Sequence, residues 1–155
     1  MKRACTAWLV LVVACGVPAV AQEGAELSKA QRTAVADVQQ RMELIKEVNR
    51  KIWNYAEMGL EETRSSALLQ QHLKNNGFRV ENGVSAMPTA FVASYGSGKP
   101  VIGILAEYDA LPGMSQKIDP VRAPLKPGRP GHACGHSGLG SGALGAALAV
   151  KAAMD

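Results

Sequence analysis

Val101-Ile102-Gly103-Ile104-Leu105-Ala106-Glu107-Tyr108-Asp109-Ala110-Leu111-Pro112-Gly113 starts as an uncharged apolar run and closes on two carboxylates, a proline and a glycine. A run that is apolar at every position, not at alternate ones, predicts a strand over 101–106 buried on both faces. Such a strand belongs inside an α/β sheet covered by helices on either side. Carboxylates just past its C-terminal end, here Glu107 and Asp109, stand where open α/β sheets place their ligand sites. They can bind a metal directly or hold a ligating histidine from behind. Solvated loop acids are the plainer alternative.

Upstream, Gly96-Ser97-Gly98-Lys99-Pro100 reads as a hairpin turn joining 101–106 to a strand over 90–95, and a short strand is expected over 78–80. Before these, Val35, Val38, Met42, Ile45, Val48, Ile52 and Ala56 recur at steps of three and four, predicting one amphipathic helix over about 28–57. Ser28 with Gln31 forms a capping box at its start, and Gly59 lies just past its end. A second helix is expected over 63–76, with Leu68, Leu69 and Leu73 inward and Gly77 as its C-terminal cap. His72 on this helix has no partner ligand one turn away and reads as a boundary residue.

Downstream, five prolines fall within 112–131, which predicts a loop without regular structure. Lys117, Arg122, Lys126 and Arg129 in it read as solvated charges. A helix rich in small residues follows over 138–154. Gly140-Ser141-Gly142-Ala143-Leu144-Gly145 matches a dinucleotide-binding spacing but follows no expected strand, so close helix packing is the better account.

Between loop and helix lies the densest chemistry: Gly131-His132-Ala133-Cys134-Gly135-His136 holds two of the three histidines. Thiolate and imidazole are ready ligands for zinc-like ions, and Gly135 gives the backbone room to turn both toward one ion. Cys134 as a simply buried thiol or as a histidine-activated nucleophile are the competing readings. The nucleophile is the weaker of these, since no oxyanion-hole motif accompanies it.

The N-terminus reads as an export signal. Lys2 and Arg3 precede the apolar run Trp8–Ala14, and Pro18-Ala19-Val20-Ala21 ends in a small-x-small cleavage pattern. Residues 1–21 are therefore expected to be a signal peptide, with 22–155 as the exported, periplasmic or secreted part. A lipoprotein anchored through Cys15 is the alternative. Loss of Lys2 and Arg3 leaves fifteen basic against thirteen acidic residues and a net charge of +2, so the basic balance gives no case for nucleic acid. Loss of Cys5 and Cys15 leaves Cys134 unable to form an internal disulfide.

Glu107-Tyr108-Asp109-Ala110-Leu111-Pro112-Gly113 together with Gly131-His132-Ala133-Cys134-Gly135-His136 resembles the M20 family of metallopeptidases and amidohydrolases. The similarity, which covers roughly residues 40–155, is greatest to the branch acting on aminobenzoyl-glutamate and related aminoacyl amides. Ile52-Trp53, Glu57, Glu61-Glu62 and Pro88-Thr89-Ala90-Phe91 also resemble this branch. The resemblance implies a zinc-exopeptidase-like α/β catalytic domain, of which 22–155 is the N-terminal portion, with its sheet incomplete. It implies one or two divalent ions, zinc or manganese, with Cys134 and His136 as ligands and Glu107, Asp109 and His132 as supporting residues. The general-base glutamate, later histidine ligands and the lid domain of the family are expected beyond Asp155. Ser137 departs from the Asn or Asp usual in relatives. The implied reaction is hydrolysis of an amide bond in an N-acyl amino acid or small peptide, with no stable membrane span and with full-length relatives homo- or hetero-oligomeric. The 155-residue chain alone is expected to be catalytically incomplete. A non-catalytic metal- or partner-binding module of the same ancestry is the alternative.

Overall fold

A computed structural model describes residues 26–155; the signal peptide expected over 1–21, with Cys5 and Cys15, lies outside the described residues. The elements in chain order are helices α1 (Lys29–Gln40), α2 (Met42–Tyr55) and α3 (Thr63–Asn75), strand β1 (Arg79–Asn82), a short 3-10 turn (Val84–Ala86), strand β2 (Phe91–Ser94) and helix α4 (His136–Met154). The result is a mixed arrangement of helices and one small sheet, compatible with the expected α/β class.

The capping box opens α1 as expected: the Gln31 amide donates to Ser28 Oγ at 3.2 Å and the Ser28 amide to Gln31 Oε1 at 2.8 Å. The single long helix is not observed. Arg41 leaves helical geometry at φ −93°, ψ 6°, and splits it into α1 and α2. Its guanidinium folds back onto the Asp37 carboxylate at 2.8 Å. The apolar spacing runs through the break, but its N-terminal part is only partly covered, by α4. Val35 and Met42 are exposed, while Val48 and Ile52 are fully buried.

The helix also ends before Gly59. Ala56 takes a left-handed conformation (φ 47°, ψ 48°) at the C-cap of α2, at a cost of about 1–2 kcal/mol for a residue with a Cβ. That turn sets the Glu57 carbonyl to accept the Ala110 amide at 2.7 Å. A tertiary bond thus sets the helix end, against local preference.

Helix α3 matches its expected span closely. Glu57 serves its N-terminus from outside, accepting the Arg64 and Ser65 amides at 3.0 and 2.8 Å. At its other end Phe78 donates to the Leu73 carbonyl and Gly77 to that of Lys74. This double bond pattern needs a left-handed residue, and Gly77 supplies it at φ +83°.

The core is a cluster of Val48 and Ile52 from α2, Leu69 and Leu73 from α3, and Leu144 and Leu148 from α4. Helix α4 packs on α1, α2 and α3. Small residues along it permit that approach, since a side chain at Gly145 would run into Ile45. The glycine-rich spacing therefore serves packing. No helix among the described residues is long and apolar enough to cross a membrane.

The sheet departs most from expectation. Among the described residues it has two antiparallel strands, β1 and β2, with Arg79 opposite Ser94 and Asn82 opposite Phe91. The hairpin is therefore closed by residues 83–90, not by Gly96–Pro100. Residues 101–106 form no strand and bury nothing, with Val101 86% and Leu105 90% exposed. Apolar composition gives such a run the side chains of a central strand, but a strand also needs a neighbour for its amides and carbonyls, and none of the named strands pairs with it.

Leu148→Ala, which empties a core position, is expected to destabilise the chain by about 2–5 kcal/mol. Leu105→Ser should stay within about 0.5 kcal/mol. Thermal unfolding followed by circular dichroism reads both, and equal losses would mean that the 101–106 run is covered in solution.

Candidate metal centre

Two backbone attachments bring the acidic segment and the histidine-cysteine loop together. Ala110 bridges to Met58 after α2, and Leu111 exchanges two hydrogen bonds of 3.0 Å with Gly131. The Leu111–Gly131 pair holds the ends of the proline-containing loop against each other. Gly131 is required there, because a Cβ would collide with the Met114 backbone.

From these anchors Glu107, Asp109 and His136 converge, each offering one ligand atom within 4.8 Å of the others. His136 is the first residue of α4, two residues earlier than the expected helix start, and Gly135 enters it in a left-handed conformation (φ 81°). Its Nδ1 lies 2.8 Å from Asp109 Oδ1 and its Nε2 lies 3.1 Å from Glu107 Oε2. The His136 side chain is 20% exposed and that of Glu107 59%, so the centre is shielded on the Asp109 side and open on the Glu107 side.

This geometry carries a proton imbalance. A neutral imidazole has a single N–H, whereas ionised carboxylates only accept. One proton satisfies Nδ1 against Asp109, and the approach of Nε2 to Glu107 then needs a second proton or a cation between them. Two ligand atoms about 2.0–2.1 Å from a tetrahedral zinc stand about 3.3 Å apart, close to the 3.1 Å observed between Nε2 and Oε2. The residues present therefore fit a divalent ion. Asp109 Oδ1 faces Nδ1, the position from which a carboxylate can orient a ligating imidazole.

The other sequence candidates sit differently. Cys134 is exposed and stands outside the converging group. His132 turns inward, with Nε2 3.0 Å from the Ile52 carbonyl of α2. Its Nδ1 is buried without a partner. Burial holds the pKa of this ring below the ordinary histidine value, against the opposing pull of the Ile52 carbonyl. It acts as a neutral strut between the loop and α2. Lys117, Arg122, Lys126 and Arg129 are exposed, as expected of a solvated loop, and His72 is half-buried on α3.

A buried polar network behind the centre had no signal in the spacing of the sequence. The Thr89 hydroxyl donates to Glu62 at 2.5 Å, and the Thr89 carbonyl accepts from Ser66 at 2.6 Å and from Tyr108 at 2.5 Å. Gln70 extends it, donating to Ser66 and Asn82. These are residue types that commonly lie at the surface, and only the packing of α3 against the hairpin reveals their use.

No protein-family model matches the chain. Individual proteins do. Over 102 residues it is 46% identical to one of the subunits of p-aminobenzoyl-glutamate hydrolase from Escherichia coli, a match that takes in 65% of this chain and 21% of the relative. It is 33% identical over 102 residues to thermostable carboxypeptidase 1 of Saccharolobus solfataricus, covering 64% of this chain and 25% of that one. It is 28% identical over 141 residues to the Xaa-Arg dipeptidase of Mus musculus, covering 84% and 29%. The chain thus spans between about a fifth and three tenths of the length of these curated relatives. Hydrolases of amide and peptide bonds are what these relatives share; they are members of the M20 family of metallopeptidases and amidohydrolases, and the chain is similar to a portion of each.

Proposed function

We propose that this chain carries a divalent-metal centre of an exported hydrolase that cleaves an amide bond in an N-acyl amino acid, an aminobenzoyl amino acid or a small peptide. The observation that carries the reading is the contact of both His136 ring nitrogens with carboxylates, at 2.8 and 3.1 Å. The hydrolase relatives supply the reaction class. They give no support to a purely non-catalytic module.

In this reading His136 presents Nε2 to the ion, Glu107 supplies a carboxylate oxygen beside it, and Asp109 retains the Nδ1 proton. Cys134, two residues before His136, is the further ligand that the family motif implies. Its exposed position requires the 132–135 turn to swing its sulfur inward on loading. A bound zinc or manganese ion supplies Lewis-acid polarisation of an amide carbonyl and acidifies a water. The open Glu107 side admits the substrate, while His132, anchored to Ile52, holds the turn that leads into α4. With Asp109 and Glu107 both committed to His136, the described residues offer no spare carboxylate at the centre for proton transfer. The 155-residue chain is accordingly proposed to bind metal without turning over substrate.

Three outcomes are expected. Zinc and cobalt bind the chain measurably by titration calorimetry, and His136→Ala abolishes uptake. Glu107→Gln weakens it at least tenfold; an unchanged affinity in both variants would rule out this centre. Cobalt loading gives a thiolate charge-transfer absorption that Cys134→Ser removes, and its absence from the unsubstituted chain would remove Cys134 from the ligand set. N-terminal sequencing of the product exported by a bacterial host is expected to begin at Gln22; retention of Lys2 and Arg3 would contradict export by cleavage.

A further inference from the structure

Tyr108 stands between the two carboxylates in sequence and turns to different partners. Glu107 and Asp109 reach His136, whereas the Tyr108 hydroxyl donates to the Thr89 carbonyl at 2.5 Å. Thr89 is itself held: it is 5% exposed, its hydroxyl is tied to Glu62, and its carbonyl also receives the Ser66 hydroxyl. The Tyr108 ring lies against Phe91 of β2, with centroids 6.1 Å apart and planes inclined by 27°.

The other side of Tyr108 meets α4. A Cβ placed on Gly140 would come to 3.0 Å from the Tyr108 Cβ and 3.3 Å from the Glu107 carbonyl oxygen. Gly140 follows His136 by one helical turn, so the two share a face of α4. Tyr108 is therefore clamped between the Thr89–Phe91 wall and the helix that delivers His136. Its covalent neighbours deliver the two carboxylates.

We propose that Tyr108 is a positioning residue for the metal centre, its hydroxyl bond to the Thr89 carbonyl fixing the register between the Glu107–Asp109 segment and the first turn of α4. The proposal rests on reading Glu107, Asp109 and His136 as that centre. Tyr108 touches neither ion nor substrate; it acts through the backbone on either side of it. Gln70 is the natural control, because it belongs to the same buried network, donating to Ser66 and Asn82, and makes no hydrogen bond to the segment that bears the carboxylates.

The test uses the 155-residue chain and two readouts, the nitrogen resonances of the His136 ring in the metal-free protein and the affinity for cobalt. Tyr108→Phe keeps the ring and removes only the hydroxyl. It is expected to shift the His136 resonances and weaken cobalt binding about tenfold, the lower end of what outer partners of metal ligands contribute. Gln70→Ala is expected to lower thermal stability as well, yet to leave both readouts in place. Unmoved His136 resonances in Tyr108→Phe, or equal shifts in Gln70→Ala, would overturn the proposal. Should Tyr108→Phe fail to fold, Gly140→Ala presses on the same contact and must shift the same resonances; no shift there overturns it too. If the unsubstituted chain takes up no cobalt, the metal reading fails by itself, and the His136 resonances still decide the role of Tyr108.

Discussion

The reciprocal pair of backbone hydrogen bonds between Leu111 and Gly131 is the constraint on which the rest depends. It closes a loop with no regular structure of its own. One end of that loop leads from Glu107 and Asp109, and the other leads into His132, Cys134 and His136. Without the closure, the carboxylates and the imidazole would belong to segments with no reason to meet. Because the join is made of backbone, side-chain identity matters there mainly at Gly131, where the crossing strand of loop leaves no space for a Cβ.

Around that join the helices act as a rigid bracket. Ile52 contributes twice: its side chain is in the core, and its carbonyl receives His132. The cost of the left-handed Ala56 has a matching return in the bond from Ala110 to Glu57. The Glu57 carboxylate meanwhile satisfies amides at the start of α3 that would otherwise face no partner. One short turn therefore couples the end of α2, the start of α3 and the acidic segment. Such coupling suits a site in which displacement of an imidazole by an ångström changes what the carboxylates can do.

Local signals were the ones legible in the sequence. Ser28 with Gln31, Gly77 after α3 and the small residues of α4 each act within a few residues of where they stand, and each is found as read. Glu107, Asp109 and His136 were legible as chemistry because the two carboxylates close an uncharged apolar run and histidine occurs only three times in the chain. What failed were inferences needing a partner elsewhere. The run 101–106 has the composition of a central strand, but strand formation belongs to a pair, and here the pairing is between β1 and β2. The unbroken spacing from Val35 to Ala56 hid a break at Arg41, since periodicity does not register a single residue leaving helical geometry. Tyr108 and Thr89 stand in stretches that carry the family resemblance, but nothing there hinted at their bond, since a carbonyl and a hydroxyl meet only after α3 packs on the hairpin. Cys134 is the instructive middle case: the motif names it beside His136, and the structure sets its sulfur outside the group that converges.

The central claim is that the proton imbalance around His136 is resolved by a cation. A crystal of the chain grown with zinc and measured across the zinc absorption edge tests it most directly. An anomalous peak is expected within bonding distance of His136 Nε2 and a Glu107 oxygen, with Asp109 still on Nδ1. A peak confined to other sites, or His136 found between its two carboxylates with no zinc beside it, would contradict the account.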